Sequence, residues 1–156
     1  MVAPRMSMEF EELLDVFLKA NARVRDNLAG LDSAGLNWRP GADTNSVACL
    51  VEHIVNTEER NLARALESVS APQNPGFPTR SYDLAELHGL LERADRMLRD
   101  LAGRAATVSL SRVVEHPHRG PSSALVLLIE TVGHVKEHVG HLELTRQLYL
   151  QRQQPG

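Results

Sequence analysis

"SALVLLIETVGHVKEHVGHLELTRQLYLQ", residues 123–151, carries apolar side chains at Leu125, Leu128, Ile129, Val132, Val135, Val139, Leu142 and Leu148. Spacings of three and four are those of a helix with an apolar stripe. The pattern predicts a helix from about Ser122 or Ser123, just after Pro121, to Gln151. Within it stand His134, His138 and His141, three of the chain's seven histidines. The tail "QRQQPG", residues 151–156, is expected to fray.

Three further segments share this character. Residues 7–28 place Phe10, Leu14, Phe17, Val24 and Leu28 on one stripe, with Asn21 among them, and Gly30 ends the run. Residues 45–68 build an apolar face from Val47, Leu50, Val51, Ile54 and Leu62, and Asp43, Thr44 and Asn45 offer N-cap chemistry ahead of it. Residues 82–101 repeat Leu84, Leu87, Leu91, Ala94, Leu98 and Leu101 in a heptad-like rhythm. Between the segments lie "GLDSAGLNWRPGADTN", "SVSAPQNPGFPTRS" and "GRAATVSLSRVVEHPHRGPSS", which read as loops. The last holds a candidate extended piece, "TVSLSRVV", residues 107–114. Four long helices with aliphatic stripes predict an all-α four-helix bundle. The first and third connections are long enough to cross over, so a simple up-down-up-down order is not forced.

The 156 residues suit a single domain, 1–156. Hydrophobic residues at 42% and charged residues at 24% make an ordinary globular balance, and aromatics at 4% make the expected core aliphatic. A net charge of −3 argues against nucleic-acid binding. No apolar run reaches the roughly 18 residues of a membrane span, and "MVAPRMSMEFEELL" lacks the apolar region of a secretory signal. Cys49 is the sole cysteine, so no internal disulfide forms, and a reducing cytoplasm is the simplest compartment. Its apolar neighbours favour a buried, inert thiol.

The histidines are the chemistry-bearing group. Side chains four apart on a helix have Cβ atoms about 5–6 Å apart on one face. Metal–nitrogen bonds of about 2.0–2.1 Å then let such a pair chelate one ion. His134 and His138 form such a pair, and His138 and His141 form an i,i+3 alternative. His134 and His141 are two turns apart, too far to share an ion. Glu130 extends the first pair by one turn, as a further ligand or as an acceptor for an imidazole N–H. The neighbouring Val132, Val135, Val139 and Leu142 turn these rings toward the bundle, where unpartnered imidazoles are costly to bury. A partly exposed helix face is the simpler reading of the same spacing. A third ligand must come from a facing helix, and His53 is the natural candidate, although alone it reads as a core histidine. Glu52, Glu58 and Glu59 stand near it as site residues or solvated charges. His88 reads as structural. His116 and His118 lie in a loop, where they either line the mouth of a site or simply belong to the loop.

"LNWRPGADTNSVACLVEHIVNTEE", residues 36–59, resembles the DinB-like (DinB/YfiT) superfamily signature: a Trp-x-Pro loop, an Asn-Ser helix start, then a helix carrying a histidine. "GHVKEHVGHLELTRQL", residues 133–148, resembles that superfamily's last helix, with its His-x-x-x-His pair and "L-x-R-Q-L". "HPHRGP", residues 116–121, is similar to the His-Pro-x-x-Gly-Pro loop of some relatives. The resemblance implies an up-down-down-up bundle. It also implies a divalent metal held by His53, His134 and His138. His141 departs from the pattern, falling where the family often has glutamine, so its role toward metal or substrate stays open. Characterised members include metal-dependent transferases and isomerases that use low-molecular-weight thiols such as bacillithiol or mycothiol.

Three neutral histidines leave the charge of a divalent ion uncancelled. Such an ion lowers the pKa of a bound thiol or water and makes a nucleophile near neutral pH. The leading expectation is a thiol-dependent transferase with Zn or Ni at the centre, Fe or Mn being alternatives. A metal-dependent hydrolase, with Glu58 or Glu130 as base, is the second. The third is a non-catalytic bundle that binds metal or dimerises. Expected partners are a small-molecule substrate or thiol and a second copy of the chain.

Overall fold

The computed structural model describes residues 5–67, 76–104 and 107–154. In chain order these form α1 (Arg5–Leu28), α2 (Ser33–Asn37), α3 (Val47–Glu67), α4 (Leu84–Gly103), a hairpin of β1 (Val113–His116) and β2 (Gly120–Ser123), and α5 (Ala124–Arg152). The first half of the second interruption, residues 68–75, lies outside the described residues, as do residues 155–156 of the tail.

The α1 stripe packs as its spacing predicts. Phe10, Leu14, Phe17, Asn21, Val24 and Leu28 are all buried. Gly30, at a φ of 80°, takes the left-handed conformation that ends the helix. The stretch after it, expected as loop, contains α2. Asp32 caps this short helix by accepting the Gly35 N–H at 2.7 Å, and the same oxygen accepts the Tyr149 hydroxyl at 3.0 Å. The cap of α3 is Ser46 rather than Asp43, Thr44 or Asn45. Its hydroxyl accepts the Cys49 N–H at 3.2 Å, and its carbonyl accepts that of Leu50. Thr44 is occupied elsewhere, closing a turn with both backbone groups of Gly41. At α4, Asp83 and Glu86 form a reciprocal capping box. This start leaves Leu84 exposed rather than in the core, while Leu87, Leu91, Ala94, Leu98 and Leu101 are buried.

Neighbour relations give the topology. The α3 helix packs on α4 and α5, and α1 packs on the same two. His53 meets His134 and Asn61 meets Thr131, so α3 and α5 run antiparallel. Glu59 pairs with Arg93, and Leu62 and Ala63 share a groove with Met97 and Leu101, so α3 and α4 are parallel. Arg23 pairs with Glu143 and Arg146 reaches the Ala29 carbonyl, so α1 and α5 are parallel. The bundle is therefore up-down-down-up, with diagonal crossings from α1 to α3 and from α4 to α5.

Two further expectations are corrected. The α5 face that enters the core is Ala124, Leu127, Leu128, Thr131, Val135, His138, Val139, Leu142, Thr145 and Tyr149. Leu125, Ile129 and Leu148, assigned to the stripe from spacing, are exposed. The first turns of α5 are apolar on every side, so hydrophobicity alone cannot choose the buried face. The segment before α5 is a hairpin: Val113 pairs with Ser123 and His116 with Gly120. Only its first strand overlaps the expected extended piece, and it turns through Gly120 at a φ of 73°.

Gly35 sits under the Tyr149 ring. A Cβ there would lie 2.5 Å from Tyr149 Cε1 and 3.1 Å from Leu31 Cδ2. Gly35→Ala is predicted to lower stability by about 1–3 kcal/mol through overpacking. Urea denaturation checks this; an unchanged midpoint would mean that the Tyr149 ring gives way freely.

Candidate metal centre

The antiparallel seam of α3 and α5 brings His53, His134 and His138 together. One ring nitrogen from each lies within 4.8 Å of the others. His53 Nε2 and His134 Nε2 are 3.0 Å apart. The His134 and His138 ring centroids, one helical turn apart, are separated by 4.4 Å, and His53 sits 4.7 Å from His138. Bonds of about 2.0–2.1 Å from a tetrahedral ion require ligand nitrogens about 3.3 Å apart. The 3.0 Å between His53 and His134 is already near that spacing.

The electrostatics keep the rings neutral. Burial pushes His53 and His138 down to about 4. The neighbouring His134 contributes to both shifts, while hydrogen bonding to the Gly76 backbone opposes the shift at His53. His134 is also lowered, mainly by burial, against the pull of Glu137. A neutral imidazole with a free lone pair is the form that ligates a metal. The donor set, its spacing and its charge state all fit a divalent transition ion.

Two contacts complete the cluster. The Phe77 ring stacks on His53 at 4.2 Å between centroids and meets His138 edge-on. Phe77 lies in a proline-rich interruption, and no sequence pattern marks it. His141 Nδ1 lies 3.3 Å from His138 Nδ1, so His141 touches the cluster through His138 and stays outside the three-histidine group.

The other candidates are placed elsewhere. Glu58 is fully buried and points into the bundle, where Asn21 Nδ2 donates to it at 3.1 Å and also donates to Asp95 at 3.1 Å. Glu130 lines the cleft beside His134, but His116 holds it at 2.5 Å and Arg119 at 2.6 Å. His116 Nδ1 accepts the His118 N–H at 3.1 Å, so both ring nitrogens of His116 are engaged. Both histidines line the cleft mouth. Glu59 pairs with Arg93 at the surface, and His88 and Glu52 join no metal-ligating group among the described residues. Cys49 is buried, and burial raises its thiol, as expected of an inert cysteine.

A cleft of about 620 Å³ opens beside His134. Its walls include Thr57, Arg60, Asn61 and Arg64 of α3, Glu130 and Thr131 of α5, and the hairpin histidines. Sequence reasoning did not single out Arg60 or Arg64. Their one signal was the i,i+4 repeat of like charge, on the same helix as His53.

Comparison with known proteins gives the family. The model of the DinB superfamily matches residues 17–142. The chain belongs to the DinB superfamily. Among solved structures, a conserved protein from Enterococcus faecalis is similar over 94% of this chain and 98% of its own, with a TM-score of 0.67 and 17% identity. A DinB family member from Shewanella denitrificans is similar over 92% of this chain and 83% of its own, with a TM-score of 0.59 and 16% identity. At these identities both show the shared fold alone. No curated protein matches. No helix among the described residues of this DinB-superfamily chain is long and apolar enough to cross a membrane.

Burial pushes Glu58 up to about 8, the Asn21 hydrogen bond opposing and Asp95 and Glu59 adding to the shift. A raised folded-state pKa contributes stability that is complete below the unfolded value and is lost as pH rises through the folded one. Wild type should therefore lose stability between about pH 4.5 and 8 relative to Glu58→Gln, which mimics the protonated acid. Parallel pH–stability curves for the two proteins would overturn this assignment.

Proposed function

We propose that His53, His134 and His138 hold a divalent transition metal and that the protein is a metal-dependent enzyme, a transferase working with a thiol cofactor on a small molecule. The observation that carries this reading is the convergence of three neutral imidazoles, two buried and His134 half-buried, at the edge of an open cleft. An ion bound there supplies Lewis acidity, which lowers the pKa of a thiol or water. The nitrogen set suits Zn or Ni, with Fe or Mn as alternatives.

The chain's own residues supply the rest. Burial keeps the three rings neutral and ready to ligate. Phe77 covers one face of His53 and excludes water from it. His141, against His138 Nδ1, sets the orientation of that ring. The cleft provides room for a small molecule beside His134.

Hydrolysis would call for a carboxylate free to act as base. Glu58 is hydrogen-bonded to Asn21 and Glu130 is held by His116 and Arg119, which favours a thiol over water as the nucleophile. The open cleft favours an enzyme over a purely structural bundle. A cytoplasmic protein as one domain, able to pair with a second copy through the exposed Leu125, Val126 and Ile129 of α5, completes the reading.

Elemental analysis after metal-replete purification tests it. Wild type should carry about one ion per chain, and a metal at 100 times its Kd should add about 2.7 kcal/mol of stability that a chelator removes. His134→Ala and His138→Ala should lose the ion, whereas His141→Ala should keep it. Wild type free of stoichiometric Zn, Ni, Fe or Mn would sink the metal centre. The thiol assignment fails separately if no low-molecular-weight thiol binds the loaded protein.

A further inference from the structure

We infer that the cleft beside the histidine centre seats an oxyanion, a carboxylate or phosphate group of the substrate, on Arg60 and Arg64. Both side chains line the cleft from consecutive turns of α3, so their Cβ atoms are about 5–6 Å apart. Like charges at that spacing destabilise a helix. Here the cost is increased by partial burial, since burial and the charge of Arg64 both lower the Arg60 pKa. Arg60 also bears on His53 and His134, adding positive potential to the centre itself.

Nothing in the wall offsets this charge at Arg60. No acidic side chain pairs with Arg60 among the described residues. The acid that does line the cleft, Glu130, is committed to Arg119 and His116 on the opposite wall. His118 adds a further basic group at the mouth. The Thr57 hydroxyl is buried in the same wall and has no hydrogen-bond partner among the described residues. Asn61 is already turned to Thr131, donating at 3.0 Å. The Arg60 guanidinium fork, with the charge of Arg64 one turn along and an unengaged hydroxyl, makes a recognition site for a small oxyanion, since the planar fork matches the two oxygens of a carboxylate or phosphate. The cleft volume suits a small molecule rather than a polymer.

Naming this the substrate's seat rests on the metal-centre reading; the anion binding does not. The test is therefore made on the full chain in excess chelator. Inorganic phosphate and succinate are titrated separately by calorimetry, and the Asn61 side-chain amide and arginine Nε resonances are followed by NMR. Expected is saturable binding that weakens with salt, with shifts at Arg60, Asn61 and Arg64. Each of Arg60→Gln and Arg64→Gln should weaken it about tenfold or more, the loss of one charge-assisted hydrogen bond. Arg93→Gln, at the surface pair with Glu59, should leave it unchanged. The tighter of the two probes assigns the anion as phosphate or carboxylate. Absence of saturation by about 50 mM with either probe, far weaker than the millimolar scale of simple ion recognition, overturns the proposal. So does wild-type affinity in both glutamine variants. Should a variant fail to fold, the resonance map on wild type decides: shifts elsewhere overturn the seat. Anion binding here, combined with wild type free of stoichiometric metal after metal-replete purification, would retain the seat and sink the metal-dependent enzyme.

Discussion

The antiparallel contact of α3 with α5 must bury His53 and His138, and half-bury His134, without charging them, and the site's architecture follows from that constraint. A buried histidinium would be heavily penalised, so the rings stay neutral and face one another. Their mutual spacing fixes the register of the two helices, since a shift of one residue on either would turn a ring out of the cluster. The Asn61–Thr131 hydrogen bond, two turns further along, holds the same register. The cleft opens beside this seam, between residues of α3 and α5, with the hairpin's His116 and His118 in its wall. The histidine cluster and the cleft beside it are thus consequences of one helix pairing.

A second polar centre holds the opposite side of the bundle. Asn21 of α1 donates to Glu58 of α3 and to Asp95 of α4, and Asp95 is further held by Arg25 at 2.7 Å. The two acids divide their roles by environment. Asp95 has a guanidinium beside it, whereas Glu58 has only an amide and is driven toward its neutral form. Side-chain networks of this kind specify a unique register where an aliphatic core alone would allow sliding. The histidines pin α3 to α5, and the Asn21 network pins α3 to α1 and α4. The same helix therefore carries both polar centres, His53 on one face and Glu58 on the other.

Periodicity made much of this legible. The α1 stripe, including its lone Asn21, is buried as its spacing predicts, because polar residues occupy the rest of that helix; the predicted α3 stripe is buried too, although the first turns of α3, Val47 to Val51, are buried on every side. The α5 stripe was misplaced in its first turns because "ALVLLI" is apolar all round. There the buried face is chosen by what lies opposite, and it admits Thr131, His138 and Thr145 while leaving Ile129 outside. The i,i+4 pair of His134 and His138 was visible in the chain, and the exclusion of a direct His134–His141 partnership followed from helix geometry. Glu58 was a reasonable candidate by proximity to His53, but five residues along a helix carry a side chain to a different face.

The sequence by itself determined the four long helices, their capping and turn residues in part, and the i,i+4 pair of His134 and His138, because these depend on spacings of three or four residues along one helix. Only the tertiary structure decided that His53 faces that pair, that Phe77 covers it, that Glu130 is tied down by a hairpin, and that Arg60 and Arg64 share a cleft with His134. Those relations join residues far apart in the chain. They depend on which helix faces pack and in which direction, a choice made by the whole core at once.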